Sequence, residues 1–145
     1  MYVLITGGGK MGANVMRTLI RQGREATLIE QDRERFERLE SEFEHQVMHG
    51  DGTELFVLEK AGIEDADAVV VSTDGDNTNL VIGQVAQKRF GIDCTVVRIL
   101  DPARADFYRE RGLRTICPTS AAIDALTDAV RSCPIPQQPR EEMKV

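Results

Sequence analysis

The sequence is short of the features that mark several large protein classes. Its three cysteines, Cys94, Cys117 and Cys133, are odd in number and scattered without CxxC spacing. They indicate no disulfide framework and read as reduced thiols. No apolar stretch approaches the ~20 residues of a membrane-spanning helix; Ala68–Val71 and Leu80–Ile82 are short core segments. The first residues carry no basic segment followed by an apolar one and a cleavage site, so secretion is not expected. Positive charge is also in deficit, with 18 Lys and Arg against 24 Asp and Glu and a net charge of −6. A nucleic-acid partner is disfavoured, because neutralising phosphates needs a basic face. Catalytic constellations are missing as well. Tyr108 is followed at the fourth position by Gly112 rather than lysine, and His45 and His49 lack the spacing of a metal pair with a third ligand. No Ser/His/Asp or Cys/His set stands out. What remains is the profile of a cytosolic, acidic, single-domain globular chain, with 41% hydrophobic and 29% charged residues.

What the chain does have is concentrated at its start. An apolar strand, Val3-Leu4-Ile5, runs into Gly7-x-Gly9-x-x-Gly12; a helix-period segment follows, then a second apolar strand closing on Glu30. Each part has a mechanical role in holding a dinucleotide. Gly7 allows the tight turn, Gly9 lets a pyrophosphate approach bare backbone, and Gly12 lets helix and strand pack closely. The helix N-terminus offers unpaired N–H groups and a partial positive charge to phosphates. Glu30 would accept hydrogen bonds from ribose hydroxyls and repel the 2′-phosphate of NADP, an objection that Arg33 and Arg35 weaken.

Apolar strands alternate with amphipathic helices nearly to the end, which predicts an α/β fold: a Rossmann-type, doubly wound parallel sheet of about six strands with helices on both faces. Strands are expected at Tyr2–Thr6, Ala26–Ile29, Gln46–His49, Ala68–Ser72, Thr95–Leu100 and Arg114–Cys117. The first helix starts near Lys10 with Met11, Val15 and Leu19 inward. The second is capped by Asp32 and buries Phe36, Leu39 and Phe43. A third carries Leu55, Leu58 and Ala61 as its stripe, and a fourth, Asp76 to Arg89, turns Leu80, Val81, Val85 and Ala86 inward. Helices over Ala103–Arg111 and Thr119–Arg131 complete a domain of residues 1–131. Residues 132–145, with Pro134 and Pro136, read as a flexible tail.

Three further polar groups fall at the carboxyl ends of expected strands, where an open parallel sheet binds its ligand. Asp51, in Gly50-Asp51-Gly52-Thr53, suits an adenine amino group or the ribose edge, and Thr53 suits a helix cap; a tight turn with an N-cap explains the same residues. Ser72-Thr73-Asp74-Gly75-Asp76-Asn77-Thr78-Asn79 is an Asx-rich loop ahead of the fourth helix. Arg98 is a charge inside Val96-Val97-Arg98-Ile99-Leu100, costly to bury without a phosphate or an acidic neighbour.

Together these residues resemble the nucleotide-binding domain of the potassium-conductance regulators, the TrkA-N or RCK (KTN) family. The resemblance runs from Met1 to about Ile123. It rests on Gly7-Gly8-Gly9-Lys10-Met11-Gly12, on Leu28-Ile29-Glu30-Gln31-Asp32 with Arg35, and on His49-Gly50-Asp51-Gly52-Thr53 followed by Ala61-Gly62-Ile63-Glu64-Asp65-Ala66-Asp67. Ser72-Thr73-Asp74, Asn79-Leu80, Phe90-Gly91, Val97-Arg98 and Ile116-Cys117-Pro118 continue it. The resemblance implies a cytoplasmic regulatory subunit, peripheral at the inner face of the membrane through a potassium channel or transporter. Such a subunit binds NAD(H), ATP, ADP or AMP and changes the geometry of a homodimer or ring. By position, Gly7 to Gly12, with Met11, would hold the phosphates and Lys10 would reach terminal ones. Glu30 and Gln31 would meet the adenosine ribose, and Asp51, Gly52 and Thr53 would flank the adenine. Thr73, Asp74 and Asn79 would line the distal end, with Arg98 nearby as a charged support.

Departures from the family pattern matter too. Relatives usually continue with a second, ligand-sensing domain, and the sequence leaves open whether one accompanies this chain. Asn77 stands where relatives often carry an acid, which removes support for a cation site there. The alternative class is an NAD-dependent oxidoreductase or its cofactor-binding half. That would need a substrate domain or a proton donor over the nicotinamide, and the alternating elements leave little chain for either.

Overall fold

The computed structural model describes residues 1–135, so the expected tail lies largely outside the described residues. Six strands form one sheet: β1 Tyr2–Thr6, β2 Glu25–Glu30, β3 Val47–His49, β4 Ala68–Val71, β5 Thr95–Arg98 and β6 Arg114–Ile116. Every pairing is parallel, in the order β3-β2-β1-β4-β5-β6. The expected doubly wound sheet is therefore present. Strand order reverses between β1 and β4, and at that reversal the connecting chains leave towards opposite faces and open a crevice at the carboxyl ends.

The helices are α1 Lys10–Arg21, α2 Arg33–Phe43, α3 Leu55–Lys60, α4 Asp76–Gln84 continuing through a π turn to Arg89, α5 Pro102–Glu110 and α6 Pro118–Arg131. Strand side chains alternate between two cores. Val3, Ile5 and Leu28 pack with Ala13 and Met16 of α1 and Leu39 and Phe43 of α2. Leu4, Val69, Val71 and Val97 pack with Leu58 of α3, Ile82 of α4 and Ala105 of α5. The helix starts follow local chemistry. The Asp32 side chain accepts the Arg35 N–H at 2.7 Å, and Asp101 accepts the Ala103 N–H at 2.9 Å ahead of Pro102.

Three inward positions need correction. Met11 is 44% exposed and Val81 49% exposed, while α1 buries Gly12, Ala13 and Met16, and α4 buries Asn79, Leu80, Ile82 and Gly83. Small or polar residues hold the inward positions there, so the apolar stripe read from hydrophobicity alone is rotated about the helix axis. Leu55 is likewise exposed, and Val57 with Leu58 carries the buried face of α3. The last helix differs from all the others. No residue of α6 is buried, and Ile123, Leu126 and Val130 stand open. It does not cover its own sheet.

Candidate functional site

The β1–α1 turn is built on two glycines that the protein itself demands. Gly7 has φ +91°, and a Cβ there would stand 2.5 Å from the Ser72 carbonyl oxygen. A Cβ on Gly12 would stand 1.9 Å from the Gly7 carbonyl oxygen, so helix and turn pack backbone to backbone. Ser72 pins the same turn, its hydroxyl donating to the Thr6 and Gly7 carbonyls at 3.2 Å. Gly9 is different. Its φ of −67° suits any residue, and a Cβ would meet nothing nearer than Asp74 Oδ1 at 3.8 Å and Arg35 Nη1 at 3.9 Å. The protein has no steric need for glycine at this position. A ligand lying on its backbone would. Gly9 caps α1 without a side-chain bond, and no acid sits in the first turn, so the helix terminus keeps its field for an anion.

Beside this turn lies a cleft of about 280 Å³ between β1, β2 and the loop after β4. Of the residues singled out in the sequence, Gly7, Glu30, Gln31, Asp51, Gly52, Thr73 and Asp74 line it. Thr6 forms part of the wall, and its buried hydroxyl has no partner among the described residues. Glu30 is only 5% exposed. One carboxylate oxygen accepts the Gly8 N–H at 3.3 Å and Arg35 Nη1 at 3.0 Å; the other accepts the N–H groups of Gln31 at 2.7 Å and Asp32 at 3.3 Å. Those donors stabilise a buried carboxylate. Arg35 also reaches Asp74 Oδ2 at 3.3 Å, and both carboxylates raise its pKa, Glu30 the more strongly. Arg33 points elsewhere, towards Glu37.

Other expected site residues divide into those on the cleft and those behind it. Gln31 Nε2 lies 3.5 Å from Asp51 Oδ2. The other Asp51 oxygen accepts the Thr53 N–H at 2.9 Å and the Thr53 hydroxyl at 2.7 Å. Thr53 therefore closes a turn instead of capping α3, whose cap position is Glu54. Asn79 does not line the cleft. It is 1% exposed; its oxygen accepts the Thr73 N–H and hydroxyl, and its nitrogen donates to the Thr73 and Arg98 carbonyls. It shapes the loop that Thr73 presents. Arg98 has no carboxylate partner among the described residues: Nη2 donates to the Thr73 carbonyl, Nη1 lies 3.6 Å from the Met11 sulfur, and Nε is buried and unpaired. Lys10 lines an open groove together with Gly9 and Arg35.

Thr6, Asp32, Arg35 and Thr78 are polar cleft residues that sequence reasoning left off the site. Thr6 could have been found from its place at the carboxyl end of β1. For Arg35 the signal was the Asp32 cap, which sets the first turn of α2 beside Glu30.

The family model described as the TrkA-N domain matches residues 3–118. The chain belongs to the TrkA-N domain family. The Trk system potassium uptake protein TrkA of Streptomyces coelicolor is 33% identical over 126 residues, covering 87% of this chain and 56% of that protein. The chain spans about half the length of the curated TrkA relatives it matches. The TrkA-N domain of the Escherichia coli inner membrane protein ybaL has the same fold, with TM-score 0.79 at 16% identity over 89% of this chain and 96% of that one. The Shewanella denitrificans Kef CTD, in its AMP-bound form, superposes with TM-score 0.73 at 25% identity over 90% and 80% of the two chains. The TrkA-N expectation drawn from the glycine turn and the Gly-Asp-Gly-Thr segment is borne out.

Proposed function

We propose that this TrkA-N domain is a nucleotide-responsive regulatory module of a potassium channel or uptake system, working in the cytoplasm at the inner face of the membrane. Its ligand is NAD(H) or an adenine nucleotide: ATP, ADP or AMP. The observation that carries the reading is Gly9, bare where the fold needs no glycine, between an uncapped helix terminus and the buried carboxylate of Glu30. Phosphates would lie over Gly9 and the start of α1, with Lys10 reaching terminal ones. Ribose would meet Glu30, adenine would lie by Asp51 and Gly52, and the distal end would approach Thr73, Asp74, Met11 and Arg98, which has no carboxylate partner among the described residues. The AMP-bound Kef relative supports an adenine nucleotide in this fold. Glu30 disfavours NADP, although Arg35 partly neutralises it.

The module regulates by changing a homo-oligomer. The open apolar face of α6 supports a second copy of the chain as its cover, in a dimer or ring. A ligand that prefers one arrangement of that assembly shifts its population, with coupling of about 1–3 kcal/mol. The testing experiment is calorimetric titration with NADH, NAD, ATP, ADP, AMP and NADPH, beside a Glu30→Gln variant. The expected result is saturable binding of NADH or an adenine nucleotide, weakened in the variant, with NADPH poor. Absence of binding by all six would overturn the reading, as would turnover of NADH against a carbonyl panel.

A further inference from the structure

Glu30 cannot receive a ribose as it stands. Its carboxylate accepts four donors, and three of them are backbone N–H groups of Gly8, Gln31 and Asp32 fixed by the fold. The fourth, Arg35, is a side chain that can move. The guanidinium also holds Asp74 on the opposite wall, so it spans the cleft from the end of β2 to the loop after β4. Its Nη1 lies 3.9 Å from where a Cβ on Gly9 would stand, at the boundary between the ribose cleft and the bare phosphate turn.

We propose that Arg35 is a latch that selects phosphorylated nucleotides over nucleosides by exchanging carboxylates for phosphate. This rests on the nucleotide reading given above. A ribose diol that reaches Glu30 displaces Arg35 from the carboxylate. If the ligand carries phosphates over Gly9, the guanidinium turns to them and makes charge-assisted hydrogen bonds in place of those it gave up. If the ligand is a nucleoside, Arg35 loses Glu30 and gains no anion. The same displacement releases the bridge to Asp74, so nucleotide entry also frees the loop after β4 from α2.

The test titrates wild type, Arg35→Gln and Arg35→Lys with ADP and with adenosine by calorimetry at one salt concentration. Arg35 is partly buried on α2 and belongs to neither apolar core, and glutamine is a good helix former, so the variants are expected to fold; circular dichroism checks this. For Arg35→Gln the expected result is opposite signs: ADP affinity falls about tenfold or more, the size of a lost charged hydrogen bond, while adenosine binds as well as or better than to wild type. Arg35→Lys recovers most of the ADP affinity. Parallel weakening of both ligands, or no change in either, overturns the latch while leaving the nucleotide reading intact. Failure of wild type to bind ADP or any other nucleotide overturns both.

Discussion

Helices α1 and α6 both start at the carboxyl edge of the same sheet, yet they leave opposite things open. α1 buries Gly12, Ala13 and Met16 and begins at Gly9 without a cap. α6 begins with Pro118 after Cys117, whose thiol sulfur accepts the Ser120 N–H at 3.4 Å, and it buries none of its residues. The first helix commits its side chains to the fold and leaves its backbone terminus free. The second satisfies its terminus and leaves its side chains free. A free terminus above a glycine turn suits a small anion, whereas a free apolar face suits a protein surface. In the function proposed above, the contrast divides ligand binding from assembly along one sheet edge.

The contrast breaks hardest at Gly12. Gly12→Ala places a methyl against the Gly7 carbonyl and should destabilise the domain by about 3 kcal/mol, read by urea denaturation. At the opposite end, Leu126→Asp puts a charge on the open face of α6. It should weaken dimerisation about a hundredfold by sedimentation, while monomer stability stays within about 0.5 kcal/mol because Leu126 is 69% exposed. Gly9→Ala sharpens the comparison within α1 itself. Its denaturation curve should match wild type within about 0.5 kcal/mol, with ADP affinity reduced about tenfold.

Cys117 gives the smallest effect. Burial pushes its thiol pKa up, but bonds from Ser120 and Thr119 outweigh that and hold it below its ordinary value of 9.0. The folded state then binds fewer protons than the unfolded one over that range, so stability rises with pH. The contribution is complete above about pH 9 and is lost as pH falls through the lowered folded value. Cys117→Ala should flatten this rise in urea denaturation series taken from pH 6 to 9.

Much of this was legible in the sequence because it is local. The strands, the Asp32 cap and the glycine turn follow from short-range sterics and hydrogen bonding. The sequence misled where a polar or small residue occupies an inward position. Asn79 looks like a ligand contact in an Asx-rich loop, yet it sits on the buried face of α4 with Ile82 and Gly83, and this turns Val81 outward. Met11 was misplaced for the related reason that Gly12 and Ala13 fill the close helix–strand contact. Thr53 looked like a cap because a hydroxyl before a helix often is one, but Asp51 takes its hydrogen bond first. The reach of Arg35 to both Glu30 and Asp74 was not legible, because it depends on the sheet bringing β2 and the loop after β4 to opposite walls. The cover of α6 is not legible for the same kind of reason: Ala121, Ala122, Ile123, Ala125, Leu126 and Ala129 make a broad small-apolar face, and that pattern does not say which surface will cover it.

The central claim is that the anion-accepting end and the protein-accepting face are coupled. Sedimentation equilibrium with and without saturating nucleotide measures this directly, using whichever of NADH, ATP, ADP or AMP binds tightest. The account predicts a dimer dissociation constant that shifts about fivefold or more on ligand addition, the range of ordinary allosteric coupling. An identical constant, with the nucleotide demonstrably bound, would contradict it.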